Sequence, residues 1–335
     1  MTAWELTTVA DDEAVAFAGT EVAHYVGLEP DTDHELDGLS FRTLPRPPGE
    51  RLATVATVND VHFGELHCGV VEGSDVGPIL SVEPGEVPYP ETMNRAAADE
   101  IAAAEPDVLV VKGDLTSSAT EEQFAAFRDC YGRFGDRLVT VRGNHDAKLG
   151  VEFGAEPVQE VALPGVVIAV LDTSITGLAS GRLTADQLAW LDELGTRADR
   201  PVLVFGHHHP WSPDSKTREP TYFGIDPDSS EALVDVVARR PALVGYFAGH
   251  THRNRARRFR ATGAVPWVEV SATKDFPGVW AEYRVFEGGI LQVVRRISAP
   301  DALAWSDRTR VMYEGLYEQY AFGRLEDRCF PIPPR

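Results

Sequence analysis

Leu52-Ala53-Thr54-Val55-Ala56-Thr57-Val58-Asn59-Asp60-Val61-His62 is the stretch from which the rest can be read. A run rich in β-branched residues, long enough for one buried strand, ends in a short segment presenting Asp60 and His62. The same grammar returns along the chain. Val108 to Val111 leads to Gly113-Asp114, Leu138 to Val141 to Gly143-Asn144-His145-Asp146, Val202 to Phe205 to His207-His208-His209-Pro210, and Leu243 to Phe247 to Gly249-His250-Thr251-His252. An apolar strand followed by a tight polar turn is how an α/β protein assembles a site at the carboxyl ends of its strands. These segments hold most of the ten histidines. Their economical reading is one metal centre built from five loops.

Between the strands the helical period appears. Thr92 to Ala104 places Met93, Ala97 and Ile101 on one face, with Pro106 beyond it, and Thr120-Glu121-Glu122 opens a segment carrying Phe124, Phe127 and Cys130-Tyr131. Thr184 to Leu194 and Ser229 to Val237 read as two further helices, and Val166 to Leu171 as a strand ending at Asp172. From Arg255 to Ile297 the pattern alternates and turns at Gly263 and Gly288-Gly289, as antiparallel hairpins do. Alternating strands and helices followed by a β-rich stretch predict an α/β (α+β) fold, a four-layer αββα sandwich of two mixed β-sheets flanked by helices. Residues 1–50 are acidic, weakly patterned and read as a small N-terminal β appendage, with short strands at Ala14 to Phe17 and Leu39 to Arg42. Residues 51–300 form the main domain, with a Gly/Pro-punctuated insertion at about 63–90 of the kind that is more often functional or lid-like than core. Residues 301–335 read as a tail, partly helical through Val311, Leu316 and Tyr320.

The residue types suit a particular chemistry. Two cations about 3.5–4 Å apart clamp the attacking and leaving oxygens of an in-line displacement at phosphorus. Such a pair needs a bridging carboxylate, oxygen or imidazole ligands and open positions. Residues two apart in an extended segment face alike, so Asp60 with His62, and His250 with His252, are read as chelating pairs. Gly113 allows a sharp turn before Asp114, the natural bridge, and Asn144 offers a neutral amide oxygen among crowded anions. His145 is placed to act on substrate instead, donating a proton to the leaving oxygen or a hydrogen bond to phosphate. Hard oxygen donors and imidazoles without thiolates suit Fe, Mn, Zn or Co. Taken singly, each residue could be a turn-capping polar group, Asn144 a left-handed turn residue, and His145 a satisfied buried imidazole. The set as a whole is what argues for metal.

The five blocks, in this order between Asp60 and His252, resemble the calcineurin-like metallophosphoesterase superfamily, whose pattern runs DxH, GDxx, GNHD or GNHE, a His before x-Pro, then GHxH. The likeness covers about residues 52 to 300. It implies two transition-metal ions per chain, one among Asp60, His62, Asp114 and His252, the other among Asp114, Asn144, His208 and His250, with His145 matching the catalytic histidine. Of the triplet, family members place the ligand two residues before the proline, which selects His208 over His207. Asp146 is read as a partner that orients His145 or its loop. Departures narrow the branch. Ser117 stands where purple acid phosphatases carry a tyrosine, and Gly113-Asp114-Leu115-Thr116-Ser117-Ser118 lacks the arginine of the protein Ser/Thr phosphatases. What remains is similar to the class III phosphodiesterases, which include cyclic-nucleotide and glycerophosphodiester hydrolases. The implied activity is hydrolysis of a small phosphate ester, a diester in preference to a monoester, by attack of a hydroxide bridging the two ions. The alternatives are a phosphomonoesterase acting on a small metabolite or nucleotide, and a non-catalytic scaffold on the same fold.

Bulk properties exclude other classes. The formal net charge of −21 argues against general affinity for nucleic acid or anionic membrane. Cys68, Cys130 and Cys329 are odd in number and far apart, against a disulfide framework or structural zinc. No apolar run approaches the ~20 residues of a membrane span, and the N-terminus lacks a signal-peptide pattern, so a cytoplasmic location is expected. The run Arg253, Arg255, Arg257, Arg258 and Arg260 is read as a solvated strand face, and Phe124, Phe127, Trp190 and Trp267 as core. His24 and His34 are read as surface residues, and His67, near the DxH loop, as an exposed loop histidine in preference to one that reaches substrate. Oligomeric state leaves no mark in the sequence.

Overall fold

The computed structural model describes residues 4–71, 73–149, 152–219 and 221–335. An N-terminal three-stranded antiparallel sheet, β1 (Glu5–Val9), β2 (Glu13–Ala18) and β3 (Glu21–Val26), is followed by the hairpin β4 (Asp33–Leu36) and β5 (Leu39–Arg42). The chain continues through β6 (Arg51–Val58), α1 (Tyr89–Ala103), β7 (Val108–Lys112), α2 (Glu121–Tyr131) and β8 (Leu138–Val141). Next come β9 (Val158–Leu163), β10 (Val166–Leu171), α3 (Ala185–Arg197), β11 (Val202–Gly206), α4 (Pro227–Arg239) and β12 (Leu243–Ala248). The last part holds β13 (Arg255–Arg258), β14 (Pro266–Glu269), β15 (Val279–Phe286), β16 (Gly289–Arg296), α5 (Pro300–Thr309), α6 (Tyr317–Phe322), α7 (Leu325–Arg328) and β17 (Phe330–Ile332).

Two six-stranded mixed sheets result. One has the order β17-β16-β15-β6-β7-β8, with β6, β7 and β8 parallel; the other has the order β13-β14-β12-β11-β10-β9, with β10, β11, β12 and β14 parallel. Their facing sides share one core, in which Val55, Val108 and Val110 meet Ile168, Val170, Leu203, Phe205 and Phe247. Alternate residues point outward. Ala56, Val58, Leu109 and Val111 pack under Met93, Ala97 and Ile101 of α1, Phe124 and Phe127 of α2, and Trp305 of α5. Val167, Ala169, Val202 and Val204 pack under Leu191 and Leu194 of α3 and Leu233 and Val237 of α4. Strands buried on both faces read as continuous apolar runs for this reason. The αββα sandwich expected from the sequence is present.

Some local readings needed tertiary context. β9 carries Gln159 and Glu160 on the sheet edge and went unread. In the tail, Val311 and Leu316 are 51% and 69% exposed, so the spacing that suggested a helix there is not a buried face. The helices lie on either side of it, in α5, α6 and α7. The arginine run is a solvated face only in part. Arg253 and Arg257 turn onto the buried Glu269, at 2.8 and 3.6 Å. Trp190 is half-buried while Phe124, Phe127 and Trp267 are core. The N-terminal strands are tied to the first sheet and to α7. Thr8 Oγ1 donates to the Val294 carbonyl at 2.7 Å, Arg328 Nε to the Thr7 carbonyl at 2.9 Å, and Arg284 Nη1 to Asp11 at 2.6 Å and Asp12 at 2.8 Å. Among the described residues no helix is long and apolar enough to cross a membrane.

Candidate metal centre

The loops that leave β6, β7, β8, β11 and β12 converge at one end of the sandwich. Asp60, His62, Asp114, Asn144, His207, His208 and His250 are all buried there, and His252 is a quarter exposed. The backbone pays a conformational cost to present them. Asp60 (φ 52°), His62 (48°), Asp114 (49°), His250 (69°) and His252 (52°) all lie in the left-handed region, at about 1–2 kcal/mol for each L-residue. Strained backbone of this kind clusters at functional sites. The extended geometry inferred for DxH and GHxH is therefore wrong in detail. β6 stops at Val58 and β12 at Ala248, and turns rather than strand pleat bring each pair together.

Asp114 lies at the middle. Its Oδ2 is 3.4 Å from His62 Nε2 and 3.4 Å from His207 Nε2, while its Oδ1 accepts the His145 backbone N–H at 2.9 Å. On the first side, Asp60 Oδ1 is 3.5 Å from His252 Nε2, and the Asp60 carboxylate accepts the His250 backbone N–H. On the second, His207 Nε2 is 3.2 Å from Asn144 Oδ1, and its Nδ1 faces the Lys112 carbonyl at 2.9 Å. The structure thus sets His207, not His208, against Asp114 and Asn144. His208 is held through Nδ1 by the Thr173 hydroxyl at 2.8 Å, with its ring 4.5 Å from that of His250. His250 Nε2 meets the Phe223 carbonyl at 2.9 Å.

Small residues make this density possible. A Cβ on Gly143 would overlap the Asp114 carboxylate, and one on Gly113 would come 2.5 Å from His207 Nδ1. Asp146 serves the loop rather than the His145 imidazole. It accepts the N–H groups of Gly143 (2.8 Å), Leu115 (2.9 Å) and Thr116 (2.8 Å) and the Thr116 hydroxyl (2.7 Å), locking the GNHD turn to the Asp114 turn. Burial, and then the neighbouring Asp114 charge, raise its carboxyl to about 6. His145 is packed edge-on to His62, with ring centroids 4.6 Å apart. Its Nδ1 lies 2.8 Å from the Ser117 carbonyl and 3.1 Å from Lys148 Nζ. The shorter contact is to a group that can only accept, which puts a proton on Nδ1 and leaves Nε2 as the other working nitrogen.

The electrostatics fit cations. Burial opposes ionisation of Asp60 and Asp114, yet neighbouring imidazoles, His252 for the first and His207 for the second, hold both carboxyls below their ordinary range. In return, against the desolvation that would lower them, His207 is raised to about 9 chiefly by Asp114, and His252 to about 10 chiefly by Asp60. Burial keeps His62, His208 and His250 neutral, their pKa values well below the ordinary one. The buried His208 Nε2 and both ring nitrogens of His62 have no well-aligned hydrogen-bond partner. Four overlapping groups of donor atoms lie within 4.8 Å of one another: Asp60, His62 and His252; His62, Asp114 and His145; Asp60, Asp114 and His207; and His207, His208 and His250. Anionic oxygens beside unpartnered imidazole nitrogens are a donor set for divalent transition metals, whose binding would displace the protons on His207 and His252.

Several residues of the site escaped the sequence reading. Lys112 is fully buried and donates from Nζ to the Ala248 carbonyl at 3.0 Å, joining the ends of β7 and β12, and burial lowers it to about 7. Glu65 Oε2 is 3.1 Å from His62 Nδ1 and Asp275 Oδ2 is 3.5 Å from His252 Nδ1. A signal existed for the last, since Lys274-Asp275 interrupts an otherwise apolar and small-residue stretch between Val270 and Trp280.

Fold and site together define an αββα sandwich with a buried cluster of candidate metal-binding His and Asp residues at its strand ends. Residues 53–254 match the family model for calcineurin-like phosphoesterases, and the chain belongs to that family. Among curated proteins, the glycerophosphodiester phosphodiesterase GpdQ of Enterobacter lignolyticus is 30% identical over 168 residues, covering 46% of this chain and 59% of the relative. The 3',5'-cyclic adenosine monophosphate phosphodiesterase CpdA of Pseudomonas aeruginosa is 28% identical over 167 residues, covering 48% and 60%. The match thus spans about three-fifths of the length of these relatives. A dimetal phosphatase from Danio rerio superposes with a TM-score of 0.61 at 13% identity, covering 85% of this chain and 100% of that one. The purple acid phosphatase PPD1 of yellow lupin gives 0.51 at 13% identity, covering 83% and 60%, so the likeness is one of fold.

Proposed function

We propose that the protein hydrolyses small phosphodiesters with two transition-metal ions. The observation that carries the reading is the position of Asp114 Oδ2, 3.4 Å from one imidazole of each half of the site. In this reading Asp60, His62, Asp114 and His252 hold one cation, and Asp114, Asn144, His250 and His207 the other. His207 takes the position the motif assigns to His208, because its Nε2 faces Asp114 and Asn144; His208, with an unpartnered Nε2, lies in one donor group with His207 and His250 and is the alternative ligand. Bound cations of this class supply a water with a pKa of roughly 7 and absorb charge developing on the phosphoryl oxygens.

The chain's own groups do the rest. Asp146 fixes the loop on which Asn144 and His145 stand. His145, its Nδ1 engaged by Ser117, offers Nε2 to the leaving oxygen, the role of a general acid. Lys112, buried and within electrostatic range of Asp60, offsets carboxylate charge when protonated. The preference for diesters rests on the absent tyrosine at Ser117, the missing arginine after Asp114, and the phosphodiesterase names of the relatives. Hydrolysis of bis(p-nitrophenyl) phosphate tests the proposal. Activity should vanish on chelation, return with Mn, Fe, Zn or Co, and exceed that on p-nitrophenyl phosphate. Full activity of metal-free protein would overturn the mechanism, and a monoester preference would overturn the substrate class.

A further inference from the structure

Behind the first proposed cation lies a buried ionic cluster that the reaction as described does not use. Lys274 Nζ is 2.9 Å from Glu65 Oε1 and 2.9 Å from Asp275 Oδ2, with Lys274 and Asp275 only 3% and 1% exposed. Each carboxylate also faces the far nitrogen of a candidate ligand, Glu65 that of His62 at 3.1 Å and Asp275 that of His252 at 3.5 Å. Each is held from outside by a phenol. Tyr89 OH donates to Glu65 Oε1 at 2.7 Å, and Tyr317 OH to Asp275 Oδ1 at 2.6 Å. Trp305 Nε1 closes the cluster on the Lys274 carbonyl at 3.0 Å.

A buried ion triad is poor value as a source of stability, since desolvation cancels most of the attraction. Its place explains it better. An imidazole that offers one nitrogen to a metal needs the other fixed, or the ring can flip and change tautomer, and a carboxylate on the far nitrogen does both jobs. We infer that Glu65 and Asp275, clamped together by Lys274, are positioning residues that fix His62 and His252 for the first cation, an inference that rests on the two-metal reading above. Glu65 belongs to the insertion, Tyr89 opens α1 directly after it, and Trp305 and Tyr317 belong to the C-terminal segment. Both segments are thereby part of the site, although neither carries a ligand. The present His62–Glu65 contact is close but not well aligned, so the effect is on orientation and basicity rather than on one strong bond.

The test is a Mn²⁺ and Zn²⁺ titration of chelator-stripped full-length protein, with melting temperature recorded without metal. Unaltered protein should bind two equivalents. Glu65→Gln and Asp275→Asn should each weaken one equivalent about 10–100-fold, the usual effect of losing such a partner, and leave the other within about threefold. Glu65→Asp should recover part of the loss. Lys274→Met should act in the same direction. If it fails to fold, Glu65→Gln, which leaves Lys274 paired with Asp275, decides alone. Unchanged affinity with a lowered metal-free melting temperature would overturn the inference and leave the cluster purely structural. Equal weakening of both equivalents would overturn it too. If unaltered protein fails to bind two equivalents, the two-metal reading itself falls, a distinct result.

Discussion

Replacing Gly113 by Ala should damage one half of the metal centre, by an amount the structure allows to be worked out. Gly113 has φ +87°, where an L-residue is strained, and that term is about 1–2 kcal/mol. The new Cβ would sit 2.5 Å from Nδ1 of His207, 2.7 Å from Cγ and 2.8 Å from Cβ. This is no flexible tip. The ring is fully buried, and its Nδ1 is engaged by the Lys112 carbonyl. Overpacking of that kind adds about 1–3 kcal/mol, for a total of about 2–5 kcal/mol. With an unfolding entropy near 2.1 cal/mol/K per residue and 335 residues, a degree of melting temperature corresponds to about 0.7 kcal/mol. The expected drop is about 3–7 °C in metal-free protein, measured by scanning calorimetry. Displacing His207 should also weaken the second cation selectively, read by metal titration, while the Asp60, His62 and His252 side is spared. A variant that melts within a degree of the parent and binds both equivalents unchanged would refute the packing argument and the placing of His207.

Other outcomes follow from the same geometry. His145→Ala should keep metal content while lowering turnover by about 10²–10⁴-fold, and unchanged turnover measured with bis(p-nitrophenyl) phosphate would remove its role. His207→Ala should cost one equivalent of metal in a titration, whereas His208→Ala, whose Nδ1 is tied to Thr173, should cost less; the reverse order would restore the motif-based choice of His208. Glu13 is depressed from 4.5 to about 2, since Arg295, His24 and Arg284 outweigh the burial that would raise it. A depressed carboxyl stabilises above its unfolded value and loses that contribution as pH falls from 4.5 toward 2, a window worth on the order of 3 kcal/mol. Glu13→Gln should therefore destabilise to urea at pH 7 and converge with the parent only as pH falls toward 2; a gap independent of pH would contradict the assignment.

The sandwich was legible because its strands are buried on both faces, so Val166 to Leu171 or Val202 to Phe205 can hardly be anything else. The edge strand β9 was not, since its polar residues need the neighbouring β10 to make sense. The donor residues were legible as types in an order, but their conformation was not. Pleat geometry predicted extended pairs, whereas five of them sit at positive φ. The triplet shows the same limit: neighbouring imidazoles leave a strand end in different directions, and which one faces Asp114 depends on the packing of Lys112 and Thr173. The Glu65–Lys274–Asp275 cluster joins residues about two hundred positions apart, so no local pattern could announce it. Asp146, read as a partner of His145 or its loop, proved to be tied to the loop through four hydrogen bonds.

The central claim is that one carboxylate is shared between two cations. A crystal grown with Mn²⁺ and measured at the manganese absorption edge tests it most directly. The account predicts two anomalous peaks per chain, about 3.5–4 Å apart, with Asp114 touching both. A single peak, or two peaks that Asp114 does not join, would contradict it.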